Sequence, residues 1–128
     1  MPCVRIATGN WAIGSETKLI DAAQSALVSA FKIPEDDRDV VLDIYDERRR
    51  IISSSRSVRY TRIEIIGIAA RSMDAKRELY KAIVKNLEAV GVPRNETRII
   101  LMEPPADNWG VRGGLPASET DLGFKIDV

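Results

Sequence analysis

The chain has 128 residues, with 19 Lys and Arg against 19 Asp and Glu, and it contains no histidine. A formal net charge of zero excludes a global field that would draw it to nucleic acid or to an acidic membrane, and the missing imidazoles remove the commonest general base and metal ligand. The single Cys3 has no internal disulfide partner and no Cys/His cluster has metal spacing, so no metal is expected. No apolar stretch approaches bilayer length, and the amino terminus has no charged stretch leading into an apolar run, which points to a cytoplasmic soluble protein. The length predicts one domain over 1–128, large enough for a moderate core.

Met1 is followed by Pro2. A small second residue favours removal of the initiator, and a chain starting at proline carries a secondary amine whose ring holds the nitrogen rigidly. Burial lowers the basicity of such an amine, making it available near pH 7 as a general base. Val4 and Ile6 then alternate with Arg5 and Ala7 as a short strand. Beyond the Gly9–Gly14 turn region, Ser15 can cap a helix with Leu19, Ile20, Ala23, Leu27, Ala30 and Phe31 on its apolar face. Pro34 ends it, and Val40, Val41, Leu42, Ile44 and Tyr45 read as a second, more buried strand.

The pattern then starts again. Ile63, Ile65, Ile66 and Ile68 predict a strand, Ser72 a cap, and Leu79, Tyr80, Ile83, Leu87 and Val90 a helix that ends at Gly91 with Pro93 beyond. Ile99, Ile100 and Leu101 predict the fourth strand. Val4 recurs as Ile63, Leu19 as Leu79 and Pro34 as Pro93, a spacing of 59 or 60 residues. Two pseudo-repeats, about 1–56 and 57–128, follow. The fold class is α/β: duplicated β-α-β units, each needing a parallel crossover, forming a four-stranded sheet with two helices on one face. A sheet covered on one side predicts an oligomer. Between the repeats, Arg48–Arg62 is rich in Ser and Arg, and the acidic residues just before it predict a solvated, salt-bridged connector.

Two segments carry chemistry. Arg71-Ser72-Met73-Asp74-Ala75-Lys76 stands at a strand-to-helix junction, where an arginine offers a planar fork for a carboxylate. Asn108-Trp109-Gly110-Val111-Arg112-Gly113-Gly114 offers an apolar wall on a tight loop, with an indole N–H that can meet a polar substrate atom. Singly, each has an ordinary structural reading: Arg71 paired with Asp74, Trp109 in the core or an interface, the glycines in turns.

Together with Pro2 and the repeat, these residues resemble the tautomerase superfamily, whose members use an amino-terminal proline as catalyst. The second half is similar to a complete oxalocrotonate tautomerase unit. Arg71, Ser72 and Lys76 match its helix start, Arg98-Ile99-Ile100 its arginine-bearing strand, and Trp109-Gly110-Val111, Gly113-Gly114 and Ala117-Ser118 its C-terminal β-hairpin. The whole chain resembles the fused tautomerases and malonate semialdehyde decarboxylase, with Ala30–Arg38 close to the decarboxylase's corresponding segment.

The resemblance implies a homotrimer with helices outside a central barrel of sheets, and no cofactor. It also implies one site per chain, because Thr61 stands where the second unit would begin. Pro2 would shuttle the proton of a small 2-oxo or 2-hydroxy carboxylic acid, Arg71 would hold its carboxylate, and Trp109 would pack its apolar part. Arg98 matches the family's second functional arginine.

Departures from the family pattern bear on the reaction. Val111 occupies the place of the acidic residue that relatives use for hydration or dehalogenation. Asp37 matches the decarboxylase's acidic residue, but Ala69 replaces one of its two arginines, so Asp37 reads equally as a site residue and as a loop aspartate. Cys3 reads as a packing residue. The alternatives to a tautomerase are a decarboxylase of a small β-keto acid and a non-catalytic trimeric binding protein.

Overall fold

The computed structural model describes residues 2–128; Met1, on whose removal the amino-terminal reading depends, lies outside the described residues. Strand β1 (Cys3–Gly9) leads through a short 3-10 turn at Asn10–Ala12 into helix α1 (Glu16–Phe31), and strand β2 (Val40–Tyr45) returns parallel to β1. Strand β3 (Thr61–Ile66), helix α2 (Met73–Val90) and strand β4 (Thr97–Met102) repeat the unit, with β4 parallel to β3. The units join where β1 pairs antiparallel with β3, Cys3 opposite Ile66 and Ala7 opposite Arg62, giving the order β2-β1-β3-β4. Two-residue strands β5 (Gly110–Val111) and β6 (Leu115–Pro116) form the C-terminal hairpin.

Period-two alternation sorts the sheet's faces. Val4, Ile6, Ile63 and Ile65 are buried against Leu19, Leu27, Leu79, Ile83 and Leu87 of the helices. The helices also touch through Asn86, whose side-chain amide donates to the Ala22 carbonyl at 3.1 Å. The opposite face stays open, with Val41, Ile66, Ile100 and Met102 each exposed by 37% or more.

Local signals explain the helix ends with one exception. Ser72 accepts from the Ala75 N–H at 3.1 Å. Gly91 takes φ 117°, a left-handed value glycine adopts without penalty, and its N–H reaches the Leu87 and Glu88 carbonyls. Ser15 occupies the N-cap of α1 but makes no capping bond; Glu16 instead folds back to accept from the Gly14 N–H at 2.7 Å.

Ile68 lies beyond β3. Gly67 donates to Met102 and Ala69 to Pro104, but Pro104 and Pro105 have no N–H to return, so the ladder stops. Ile68 instead anchors a second cluster with Val111 and Ala117.

The connector after β2 is salt-bridged. Arg48 pairs with Asp46 at 3.0 Å, and Arg50 pairs with Glu47 at 2.9 Å while donating to the Val58 and Tyr60 carbonyls. Gly9 admits this knot, since a Cβ there would lie 2.6 Å from an Arg50 guanidinium nitrogen.

Candidate active site

The start of β1, the loop before β2 and the loop after β3 meet at one end of the sheet. Pro2 is buried there, directly before β1. The Asp39 carbonyl accepts from Val4, and buried Gln24 donates its side-chain amide to the Asp37 carbonyl at 3.0 Å, holding the 34–39 loop against α1.

Arg71 is 6% exposed, and its guanidinium carbon lies 4.8 Å from the centre of the Phe31 ring. One nitrogen, Nη1, donates to the Ile68 carbonyl at 3.1 Å, whereas Nε and Nη2 are buried without a hydrogen-bond partner. These two nitrogens form one edge of the fork, the geometry that takes a carboxylate bidentately. Asp74, the local partner considered from sequence, pairs instead with Arg77 at 2.8 Å. Burial lowers the Arg71 pKa from its ordinary value, and the charges of Glu103 and Asp37 oppose that shift. Glu103 is itself bound by Lys76 at 2.6 Å.

The Asp37 charge also acts on Cys3, whose thiol is pushed up to about 11 by burial first and then by Asp39 and Asp37. Such a thiol stays protonated at neutral pH, in keeping with a packing role.

Trp109 is half-buried and packs on the Ile68 cluster. Its indole N–H donates to the Pro104 carbonyl at 3.2 Å, so this group secures the hairpin and is already engaged. Through Ile68 the ring lies beside the loop that carries Arg71.

Arg98 lies elsewhere. It is the β4 partner of Arg62, which faces Ala7 on β1. Five residues at about 3.4 Å each place it roughly 17 Å along the sheet from Pro2. A role for Arg98 beside a Pro2 nitrogen therefore requires a second subunit. At that far end, the Thr61 nitrogen is an internal peptide group. Its hydroxyl shares a buried 2.9 Å hydrogen bond with Thr8, which also accepts from the Trp11 indole. No second amine is available there.

Sequence reasoning did not single out Phe31, Gln24 or Glu103 for this region. Phe31 was visible as an apolar helix position and within the Ala30–Arg38 segment, neither of which ties it to Arg71, and Lys76 and Glu103 are 27 residues apart with no local pattern connecting them.

Two fused β-α-β units, with the buried Arg71 fork at the end of the sheet where β1 starts, define a small α/β protein. A family model described as tautomerase enzyme matches residues 37–112, more than half of the chain. Over 52 residues the chain is 38% identical to a probable tautomerase of Ralstonia nicotianae, covering 40% of this chain and 74% of that protein. The chain belongs to the tautomerase family.

Among solved structures, native fused 4-OT is similar with a TM-score of 0.80 and 22% identity, over 95% of this chain and 99% of that one. FG41 malonate semialdehyde decarboxylase inhibited by 3-bromopropiolate is similar with a TM-score of 0.75 and 26% identity, over 84% and 86%. A symmetric trimer of fused 4-OT has a TM-score of 0.79 and 21% identity, over 91% and 96%.

Proposed function

We propose that this chain is a cofactor-independent keto–enol tautomerase acting on a small 2-oxo or 2-hydroxy carboxylic acid, with Pro2 as its amino-terminal general base. The observation that carries this reading is the Arg71 fork, buried yet with Nε and Nη2 unpaired, at the end of the sheet where Pro2 lies. The substrate carboxylate occupies that edge of the fork. The Pro2 nitrogen accepts the enol O–H proton, the oxygen's electron pair closes the carbonyl, and the alkene pair takes a proton back from the prolinium at carbon. Atoms and charge balance, and the base is restored. The Trp109 ring forms the apolar wall. Fused 4-OT neighbours support a homotrimer, and the open sheet face, with Val41, Ile66, Ile100 and Met102, is the surface it would cover. Such an assembly also offers the route by which Arg98 reaches a neighbouring site.

Purified protein of verified intact mass, lacking Met1, should convert phenylenolpyruvate- or hydroxymuconate-type enols. Retention of Met1 in the native protein leaves an amide at Pro2 and leads instead to a non-catalytic trimeric binding protein. A second enzyme reading, decarboxylation of a small β-keto acid, is favoured by Asp37, whose charge acts on Arg71. Consumption of malonate semialdehyde with indifference to enols, abolished by Asp37→Asn, would replace the tautomerase reading by that one.

A further inference from the structure

Among the buried residues of α1, Gln24 alone is polar, at 8% exposed. A buried amide is tolerated where it is hydrogen-bonded, and the Gln24 side-chain nitrogen donates to the Asp37 carbonyl at 3.0 Å. The loop it reaches reads Glu35-Asp36-Asp37-Arg38-Asp39. Its carboxylates repel one another and favour an extended, solvated course, and none of its side chains is apolar, so burial cannot anchor it. Within the loop, Asp37 donates its N–H to the Pro34 carbonyl at 3.1 Å, and Arg38 donates from Nε to the Glu35 carbonyl at 2.9 Å. The Gln24 amide ties the middle of this acidic loop to the helix.

The loop ends beside Pro2. Its Asp39 carbonyl accepts from Val4 at 2.8 Å, two residues along from the proline. Cys3, next to Pro2, registers the loop as well: burial first, and then the Asp39 and Asp37 carboxylates, push its thiol up to about 11. The Asp37 charge also falls on Arg71. Whatever fixes this segment therefore fixes both the backbone that presents the proline and the field around it.

We propose that Gln24 is a positioning residue for the amino-terminal base. By holding the Asp37 carbonyl it keeps the acidic loop against the start of β1, and so sets the direction of the Pro2 nitrogen and the negative charge near it. The catalytic consequence rests on Pro2 acting as the base; the hold on the loop does not.

Two variants and two readouts test this on the full chain. Gln24→Met keeps the length of the side chain and removes its donor. Gln24→Glu keeps the shape and donates only while protonated. Burial, the Asp37 carbonyl and the nearby carboxylates favour that acid form: Asp21 and Glu35 line the adjoining cleft, with Arg38 as the one opposing charge. Its midpoint therefore lies above the ordinary value of about 4.3.

The first readout is the thiol of Cys3, the one cysteine, titrated by NMR at its Cβ. In Gln24→Met the midpoint should fall by about 0.5 to 1 in pH as the loop carboxylates move off. Arg5 and Glu64, which flank the thiol from the sheet, are the same in both proteins. The second readout is steady-state kinetics on an enol acid across pH. Gln24→Met should lose about 10- to 100-fold in kcat, with KM within about twofold of wild type because the Arg71 fork is intact. Gln24→Glu should match wild type at acid pH and fall to the level of Gln24→Met as its carboxyl ionises, with unchanged circular dichroism. A folding defect does not produce such a limb.

An unmoved thiol midpoint in Gln24→Met overturns the proposal. So does a Gln24→Glu profile that follows wild type, or Gln24→Met, at every pH. A change confined to KM overturns it too, since Gln24 would then act on substrate binding. If wild type turns over no enol, the tautomerase reading falls, and the thiol midpoint alone decides whether Gln24 holds the loop.

Discussion

Replacing Arg71 separates its cost to the fold from its value to catalysis. Arg71 is 6% exposed, and its guanidinium makes one hydrogen bond and leaves two nitrogens unpaired. An unsatisfied buried donor costs about 1–3 kcal/mol, more when charged, and the Phe31 ring returns only about 0.5–2 kcal/mol. Arg71→Met, of similar length without the charge, should therefore melt at or above the wild-type temperature, by up to about 5 °C for a domain of this size. Catalysis should move the other way. Losing a bidentate charge-assisted contact worth about 2–3 kcal/mol lowers kcat/KM roughly 30- to 150-fold in Arg71→Ala and Arg71→Met alike. The loss appears in KM if the grip is equal in ground and transition states, and in kcat if the arginine also stabilises the developing enolate. Steady-state assays on an enol acid and its methyl ester check the cause, since the variants should no longer distinguish them. Full efficiency of Arg71→Ala on carboxylate substrates would refute the site assignment. Melting of Arg71→Met several degrees below wild type would show instead that the arginine holds the fold.

Phe31→Leu keeps core bulk but removes the ring face beneath Arg71, so KM for a carboxylate substrate should rise on the order of fivefold with little change in kcat. An unchanged KM would separate Phe31 from substrate binding. The Cys3 thiol, raised from 9.0 to about 11, should alkylate about 100-fold more slowly at pH 8 than an unperturbed cysteine. Because the folded state holds this proton more tightly, the associated stability is complete below about pH 9 and is lost as pH rises to about 11. Melting curves across that interval show the direction. Ser72→Ala removes the cap to Ala75 and should cost about 1 kcal/mol, measured by denaturant unfolding, whereas Ser15→Ala, which loses no capping bond, should cost less.

What was legible in the sequence was what depends on near neighbours. Alternation exposed Val4 and Ile6, the 3.6-residue period exposed the buried face of α2, and Ser72, Gly91 and Pro93 marked its ends, because these preferences are settled within a turn or two of chain. The 59- to 60-residue recurrence disclosed the duplicated unit for the same reason. Ile68 was misplaced because the end of β3 depends on Pro104 across the ladder, which the pattern of β3 itself does not contain.

Tertiary structure decided the rest. Arg71 is buried because α1 from the first unit delivers Phe31 to it across 40 positions, and no periodicity couples them. Arg98 shares a chain with Pro2 yet stands at the other end of the sheet, because the antiparallel β1–β3 pairing turns the second unit end for end. The parallel β3–β4 pairing sets Arg98 beside Arg62, although no local pattern joins them. Local sequence settles which face of each element is apolar; which charges meet at the ends of the sheet is settled only when the strands choose their partners and direction.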